Sequence, residues 1–399
     1  MTIGLSSLVL QEGDTMIDID IESALATPLA RIKVLGVGGA GCNALNSMLD
    51  GEYEGVEFIA TNTDAQALRV CRAPMKLQIG AKSTKGLGTG ANPDLGRKAA
   101  EEDREMILHA LDGADLVFLV GGLGGGTGSG ALPVIARLLK EKNILTIAVV
   151  TKPFIFEGKR RMSTAEKSLG DLEKEVDTLV VIPNQWLLDH EEKNVSLIHA
   201  FGRINGTIAQ CVRSVADIIA HPGQINVDFA DVRAILKNQG TALMGIGTAS
   251  GANRAHDATK AAISSSPLEM LSITGARGVL LTLAGSSSLG LHEVNVAASL
   301  IYESADENAN IIMGTIIDES LGDVMVVTII ATGFMPKEKS VDPIAPAARI
   351  GAPEYPQIHA EQQHEPIPSP VESMQDPLEI PAILRRLREE REQRMRHNQ

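Results

Sequence analysis

Two aspartates three residues apart, Asp228 and Asp231, stand in the run Ile225-Asn226-Val227-Asp228-Phe229-Ala230-Asp231-Val232. Paired carboxylates can orient a water, accept its proton or help hold a cation. The same spacing at a helix start also suits capping by Asp228 and a favourable dipole interaction, and local sequence favours that simpler role. Elsewhere the chemistry belongs to the backbone. Gly121–Gly130 reads GGLGGGTGSG, seven glycines in ten residues, between the apolar run Leu116–Val120 and a helical pattern, Ala131–Lys140. Such a loop brings amides to an anion at the positive end of a helix dipole, and Thr127 and Ser129 add hydroxyls. A flexible linker would not be wedged between a buried strand and a helix.

Two more glycine loops join this one. Gly36, Gly38 and Gly41 satisfy G-x-G-x-x-G between a strand and a helix. Asp64 lies roughly twenty residues on, where a ribose-binding acid would stand in a nicotinamide-dependent oxidoreductase. Gly86–Pro93 reads GLGTGANP. Three such loops at strand ends, on one edge of a sheet, suit an extended anionic ligand, with phosphates the natural candidate. No G-x-x-x-x-G-K-[ST] occurs, so backbone amides, hydroxyls and Mg2+ would neutralise the charge in place of a P-loop lysine.

The elements that position these loops follow from periodicity. Strands are expected at Arg31–Val37, Val56–Thr61, Leu116–Val120, Ile144–Thr151 and Thr178–Ile182. The helix after Gly38–Gly41 turns Ala44, Leu45, Met48 and Leu49 inward. Asp94 reads as the cap of a helix to about Ala110. Nearly all-apolar strands alternating with helices indicate an α/β, doubly wound, mostly parallel sheet covered on both faces. Residues 194–221 read as one long connecting helix with Leu197, Phe201, Ile204, Ile208, Val212, Val215 and Ile219 three or four apart. Strand-like Leu243–Thr248, Gly278–Ala284, Ile311–Ile317 and Met325–Thr332, with helical His256–Ser265 and His292–Ser304, indicate a second, smaller α+β domain.

The ends differ from this. Residues 1–30 lack periodicity and read as a flexible tail. More than half of the chain's eighteen prolines fall between Pro336 and Pro381, so residues 335–377 read as a disordered linker. Apolar residues return at Leu378–Arg386, within a terminal segment, residues 378–399, which reads equally as a peptide that orders on docking and as chance residual hydrophobicity.

Bulk composition narrows the function. Hydrophobic residues make up 44% of the 399 and supply real cores, while aromatics at 3% leave those cores to aliphatic side chains. A net charge of -14 argues against general nucleic-acid binding. Cys42, Cys71 and Cys211 show no metal spacing, so the expectation is free thiols and no protein-built metal site. From the acidic start, with no Lys or Arg before Arg31, no signal or transit peptide is expected. With no apolar run of membrane-spanning length, the expected location is the cytoplasm.

Gly124–Gly130, with Gly38–Gly41, Asn62-Thr63-Asp64, Gly88–Pro93, Pro153–Gly158 and Asn226–Asp231 in that order, closely resembles the tubulin/FtsZ GTPase superfamily in its bacterial cell-division branch. The resemblance runs from about Arg31 to Phe334 and resumes at Leu378–Arg386. It implies a GTP-binding domain over 31–193, the connecting helix, and a GTPase-activating domain over 222–334. It implies that Gly38, Gly39, Ala40, Gly41, Cys42 and Asn43, with Gly124, Gly125, Gly126, Thr127 and Gly128, hold the GTP phosphates. Asn62, Asp64, Gly88, Gly90, Ala91 and Asn92 join the nucleotide site. Glu157 and Arg161 would contact ribose and phosphates. Phe201 would stack on guanine and Asn205 read its edge, with Asn184 nearby. Asp228 and Asp231, with Asn226, would act in trans on the neighbouring subunit's GTP, which reverses the local capping preference. The implied product is a head-to-tail filament forming the midcell division ring, with GTP and GDP as substrate and product, Mg2+, and membrane-tethering and regulatory partners at Leu378–Arg386. Gln185, Gly206 and Ile383 depart from the family pattern, and Gly206 leaves guanine reading more on Asn205.

Overall fold

A computed structural model describes residues 30–51, 53–189, 196–220, 225, 227–265 and 273–334. The tail over 1–29, the linker and peptide over 335–399, and Asn226 lie outside the described residues.

Ten strands form one hydrogen-bonded sheet in the order β3-β2-β1-β4-β5-β6-β7-β10-β8-β9. These are β1 Ile32–Val37, β2 Val56–Asn62, β3 Met75–Gln78, β4 Leu116–Gly122, β5 Leu145–Lys152, β6 Thr178–Pro183, β7 Gly240–Ser250, β8 Gly278–Gly285, β9 Asn310–Ile317 and β10 Val324–Thr332. Strands β1 to β7 pair in parallel, and β1 lies between β2 and β4. Chain direction along the sheet therefore switches at the β1/β4 crevice, where ligands of open α/β sheets bind. Only β10 runs antiparallel, to β7 and β8. The β6–β7 pairing of Thr178, Leu179 and Val180 with Gly240, Thr241 and Ala242 carries the sheet from the first half into the second.

The apolar strands are buried on both faces. Ile32 and Val34 of β1 belong to a core with helices α1 (Gly38–Met48) and α9 (Leu197–Ala220), whereas Leu35 and Val37 belong to one with α4 (Pro93–Glu102), α6 (Thr127–Glu141) and α7 (Lys159–Leu172). The first core also takes in Leu280 and Ile330 of the second half, so α9 is buried against both halves. A third core packs β7, β8 and β10 against α11 (Arg254–Ser264) and α12 (Leu291–Ser304). The remaining α-helices among the described residues are α2 (Ala65–Val70), α3 (Ala81–Thr84), α5 (Arg104–Ala110), α8 (Asn184–Asp189) and α10 (Phe229–Leu236).

The expected helix from Asp94 to Ala110 is two helices. Asn92, not Asp94, is its cap, accepting the Asp94 N–H at 3.0 Å ahead of Pro93. Asp103 leaves helical geometry (φ -113, ψ 27), and its carboxylate accepts the Gly80 N–H at 2.6 Å. A side-chain bond to a distant loop thus breaks the helix. Strand β3 was not expected: it has only four residues and a half-exposed edge position.

Candidate nucleotide site

The carboxyl end of β1 runs directly into helix α1, that of β4 reaches α6 through the four-residue loop Leu123–Gly126, and neither helix has a side-chain cap. Their first-turn N–H groups therefore lack intrahelical partners, and both dipoles present a positive end. The two ends lie side by side. Gly38 has φ +73, and a Cβ there would come within 3.2 Å of the Gly128 nitrogen. Gly36 and Gly41 are glycines for packing: a Cβ on Gly41 would lie 2.6 Å from the Val120 carbonyl. Gly39 and Gly125 have neither excuse. Their φ values are negative or extended, and a Cβ on either would meet nothing within 4 Å. Bare backbone facing open space at paired helix N-termini fits close approach by phosphates.

The third loop closes on this cradle. A Cβ on Gly126 would fall 2.0 Å from Thr89 Oγ1 and 2.8 Å from the Asn92 nitrogen. Gly88, Gly90 and Ala91 all take positive φ, which turns this loop over the Gly126 backbone. Sequence reasoning missed Thr63, whose Oγ1 lies 2.7 Å from Thr127 Oγ1 and ties the end of β2 to the start of α6. Its only signal was its place between Asn62 and Asp64 at a strand's end. Ser129 does not face a ligand: its hydroxyl accepts the Gly124 N–H at 2.8 Å and braces the loop.

Several expected residues stand beside the cradle in other roles. Cys42 is buried, and burial raises its thiol pKa to about 12, so only its backbone is available to a ligand. Asn43 is exposed on α1. Asn62 is buried and accepts the Asp64 N–H at 3.2 Å. Asp64 Oδ1 accepts the Gln66 and Ala67 N–H groups at 2.8 and 3.0 Å, capping α2. That engagement argues against a ribose acid of the nicotinamide type. Glu157 accepts the Phe154 N–H at 2.9 Å and pairs with Arg161 one turn on, so this loop is held by its own ion pair.

A second pocket wall forms where β5, β6 and α9 meet. Phe201 is 41% exposed, and its ring stands edge-on to Phe154 at 5.5 Å between centroids. Phe154 in turn stacks on Phe156 at 4.9 Å. Leu197 and Phe201 were expected in the core stripe of the long helix. They are exposed: over its first turns α9 stands off the sheet across a cavity that Ile198, Gly202 and Arg203 line with Val180, Met244 and Ile246, and burial begins at Ile204. Asn205, half-buried, lies one turn after Phe201. Asn184 is 5% exposed, and its Oδ1 has no hydrogen-bond partner among the described residues. A buried acceptor left without a donor is costly, so a ligand donor such as a purine N–H fits it.

The paired aspartates are held elsewhere. Asp228 caps α10 by accepting the Asp231 N–H at 2.7 Å, and both side chains are exposed. The C-terminus of α10 is tied to Thr178, the first residue of β6, and to Thr332, the last of antiparallel β10. Both anchors lie at the amino edge of the parallel sheet, opposite the edge that carries the cradle. Strand β6 alone separates those edges by roughly 17 Å, at ~3.3 Å per residue.

Residues 31–192 match the GTPase domain of the Tubulin/FtsZ family, and residues 240–335 match the FtsZ family C-terminal domain. Among solved structures, an FtsZ dimer from M. jannaschii is 42% identical with a TM-score of 0.74, over 78% of this chain and 90% of that one. A tryptophan-to-tyrosine mutant of M. jannaschii FtsZ is 41% identical with a TM-score of 0.75, over 79% and 94%. CetZ1 from Haloferax volcanii, a GDP-bound monomer, is 25% identical with a TM-score of 0.66, over 77% and 95%. The motifs, the switch-point cradle and these matches agree: the chain belongs to the FtsZ family of tubulin-like GTPases.

Proposed function

We propose that the protein hydrolyses GTP at a site completed only when two copies stack head to tail, and that the resulting filament builds a division ring at midcell. The separation between the cradle and the anchored helix that bears the carboxylates carries this reading. The cradle supplies amides and hydroxyls, while its neighbouring acids, Asp64 and Glu157, are engaged in local bonds. The exposed pair Asp228 and Asp231 stands at the start of α10, a helix whose C-terminus is anchored at the opposite edge of the sheet. Stacking brings one copy's amino edge onto the next copy's carboxyl edge. A heterologous contact of this kind does not close, and so it extends as a filament.

Within that site the Gly38–Asn43 turn and Gly124–Gly128 hold the phosphates, and Glu157 and Arg161 flank ribose and phosphate. Phe201 stacks on the base, and Asn205 and Asn184 read its edge. Among the described residues no three His, Cys, Asp or Glu side chains cluster as metal ligands. Mg2+ would therefore be held mainly by the nucleotide's phosphates, as is usual for this ion. The neighbour's Asp228 and Asp231 orient and polarise a water for attack on the γ-phosphorus. The bond to the bridging oxygen breaks, releasing GDP and phosphate. Phosphoryl transfer needs positioning and charge stabilisation above all, so splitting the site makes hydrolysis depend on assembly.

Exposed apolar side chains stand on the loops and the helix that build the site. Leu87 is 84% exposed and Ile198 87%, and Ile155 and Phe156 are exposed as well. Exposed apolar side chains of this kind mark a contact surface, which supports the same stacking. Among the described residues no helix is long and apolar enough to cross a membrane. Attachment to division partners and a membrane tether is assigned to Leu378–Arg386. Phosphate release per subunit, measured against protein concentration beside light scattering with GTP and Mg2+, tests the reading. Both should rise together above a threshold. A rate per subunit that is flat with concentration would sink it.

A further inference from the structure

The helix that bears the paired aspartates is anchored from both halves of the molecule by two buried hydroxyls. The last carbonyls of any helix lack partners within it. In α10 the Arg233 carbonyl accepts the Lys237 N–H at 2.9 Å. The Ile235 and Leu236 carbonyls are taken by threonines distant in sequence. Thr332 Oγ1 donates to the Ile235 carbonyl at 3.1 Å, and Thr178 Oγ1 donates to the Leu236 carbonyl. Both threonines are 0% exposed. Thr178 opens β6 in the nucleotide-binding half, and Thr332 closes β10 in the second half.

The apolar face of α10, Val232, Ile235 and Leu236, is buried in the shared core and fixes how deep the helix sits. Hydrophobic burial is non-directional, so it does not by itself set the helix's tilt. Hydrogen bonds are directional. We infer that Thr178 and Thr332 are positioning residues for GTP hydrolysis: together they set the tilt of α10 and thereby place Asp228 and Asp231 against the neighbour's nucleotide. The inference rests on the trans-carboxylate reading above. From Leu236 back to Asp231 the helix spans roughly 8 Å, so a change at the anchored end is carried to the carboxylates. A misplacement of about 1 Å at a reacting centre can cost about 100-fold in rate. Asp177 reinforces the anchor, because its carboxylate accepts the Thr146 N–H at 2.9 Å and the Asn238 N–H at 3.3 Å.

The test uses the full chain with Thr178→Val and Thr332→Val combined, beside Thr178→Ser and Thr332→Ser combined. Valine keeps the shape and removes the donor, whereas serine keeps the donor. Phosphate release per polymerised subunit, GTP affinity and melting temperature are read for each. The valine pair should lose about tenfold or more in kcat with GTP affinity within about twofold, and the serine pair should restore most of the rate. A folded valine pair with wild-type kcat, or a serine pair as slow as the valine pair, would overturn the inference. If the valine pair does not fold, the same comparison is made between Thr332→Val and Thr332→Ser alone. Asp231→Ala is run alongside: if it hydrolyses normally, the trans-carboxylate reading itself fails, whereas a dead Asp231→Ala beside an active valine pair removes only the role of the threonines.

Discussion

Asp228 Oδ1 accepts the backbone N–H of Asp231 at 2.7 Å, so the first of the paired aspartates caps the helix that presents the second. Capping and catalysis are therefore compatible roles for this pair. They separate by substitution. Asp231→Ala removes a carboxylate that caps nothing, so hydrolysis should collapse with GTP affinity and stability near wild type. Asp228→Ala should lose hydrolysis and also about 1 kcal/mol of stability, the usual worth of an N-cap. Phosphate release and urea melts on the two variants check both halves.

Gly39 lies in the cradle with open space where its side chain would be. Gly39→Asp should fold with an unchanged melting temperature, because the new side chain meets no protein atom within its first bond. Its carboxylate would occupy the space that the phosphates approach and repel them. Titration with a fluorescent GTP analogue should show at least a hundredfold weaker binding, an expectation on the order of 3 kcal/mol.

Asn184 Oδ1 is buried without a partner among the described residues, so it contributes no hydrogen bond to the start of α8. Asn184→Leu should leave stability near wild type and weaken GTP binding by about tenfold, the worth of one buried hydrogen bond to a ligand. Competition by inosine and adenine nucleotides should become relatively stronger, which displacement assays would show.

Arg254 is buried and holds the second half together. Its guanidinium meets both Glu293 oxygens at 2.7 and 3.0 Å, the Asp323 carbonyl at 3.0 Å and Ser288 Oγ at 3.1 Å. Arg254→Ala should cost about 3 kcal/mol, because it strands a carboxylate that relies on this partner. The Arg254 hydrogen bond holds the Glu293 pKa below the ordinary range. A lowered folded-state pKa contributes stability above the unfolded value of ~4.3 and loses it as pH falls through the folded value. The gap between wild type and Arg254→Ala in urea melts should therefore be full at neutral pH and shrink in acid.

Much of the nucleotide half was legible because local rules and tertiary packing agree there. Gly36, Gly38 and Gly41 announce a strand-to-helix turn, and Gly36 and Gly41 are glycines because α1 packs directly on β1 and β4. Runs such as Leu116–Val120 could be read as strands because both faces are covered. What escaped depends on long-range contacts. The break at Asp103 follows from a bond to Gly80, 23 residues away. The anchors of α10 span 58 residues to Thr178 and 97 to Thr332, and nothing in the local pattern of either threonine marks it. The first turns of α9 continue the apolar stripe of the helix, so periodicity placed Leu197 and Phe201 inside, although a cavity separates those turns from β6 and β7. Their exposure turns a core prediction into a wall of the site.

The shared active site is tested most directly by mixing two inactive variants. Asp231→Ala keeps the cradle and lacks the carboxylate, while Gly39→Asp keeps the carboxylates and lacks the cradle. Neither alone should release phosphate at an appreciable rate. Mixed in equal amounts with GTP and Mg2+, the nucleotide on an Asp231→Ala copy can meet the intact Asp228 and Asp231 of a Gly39→Asp neighbour. Recovery of phosphate release on mixing is the expected result. A mixture no faster than the sum of its parts, with the two variants shown to co-sediment, would contradict a site built between subunits.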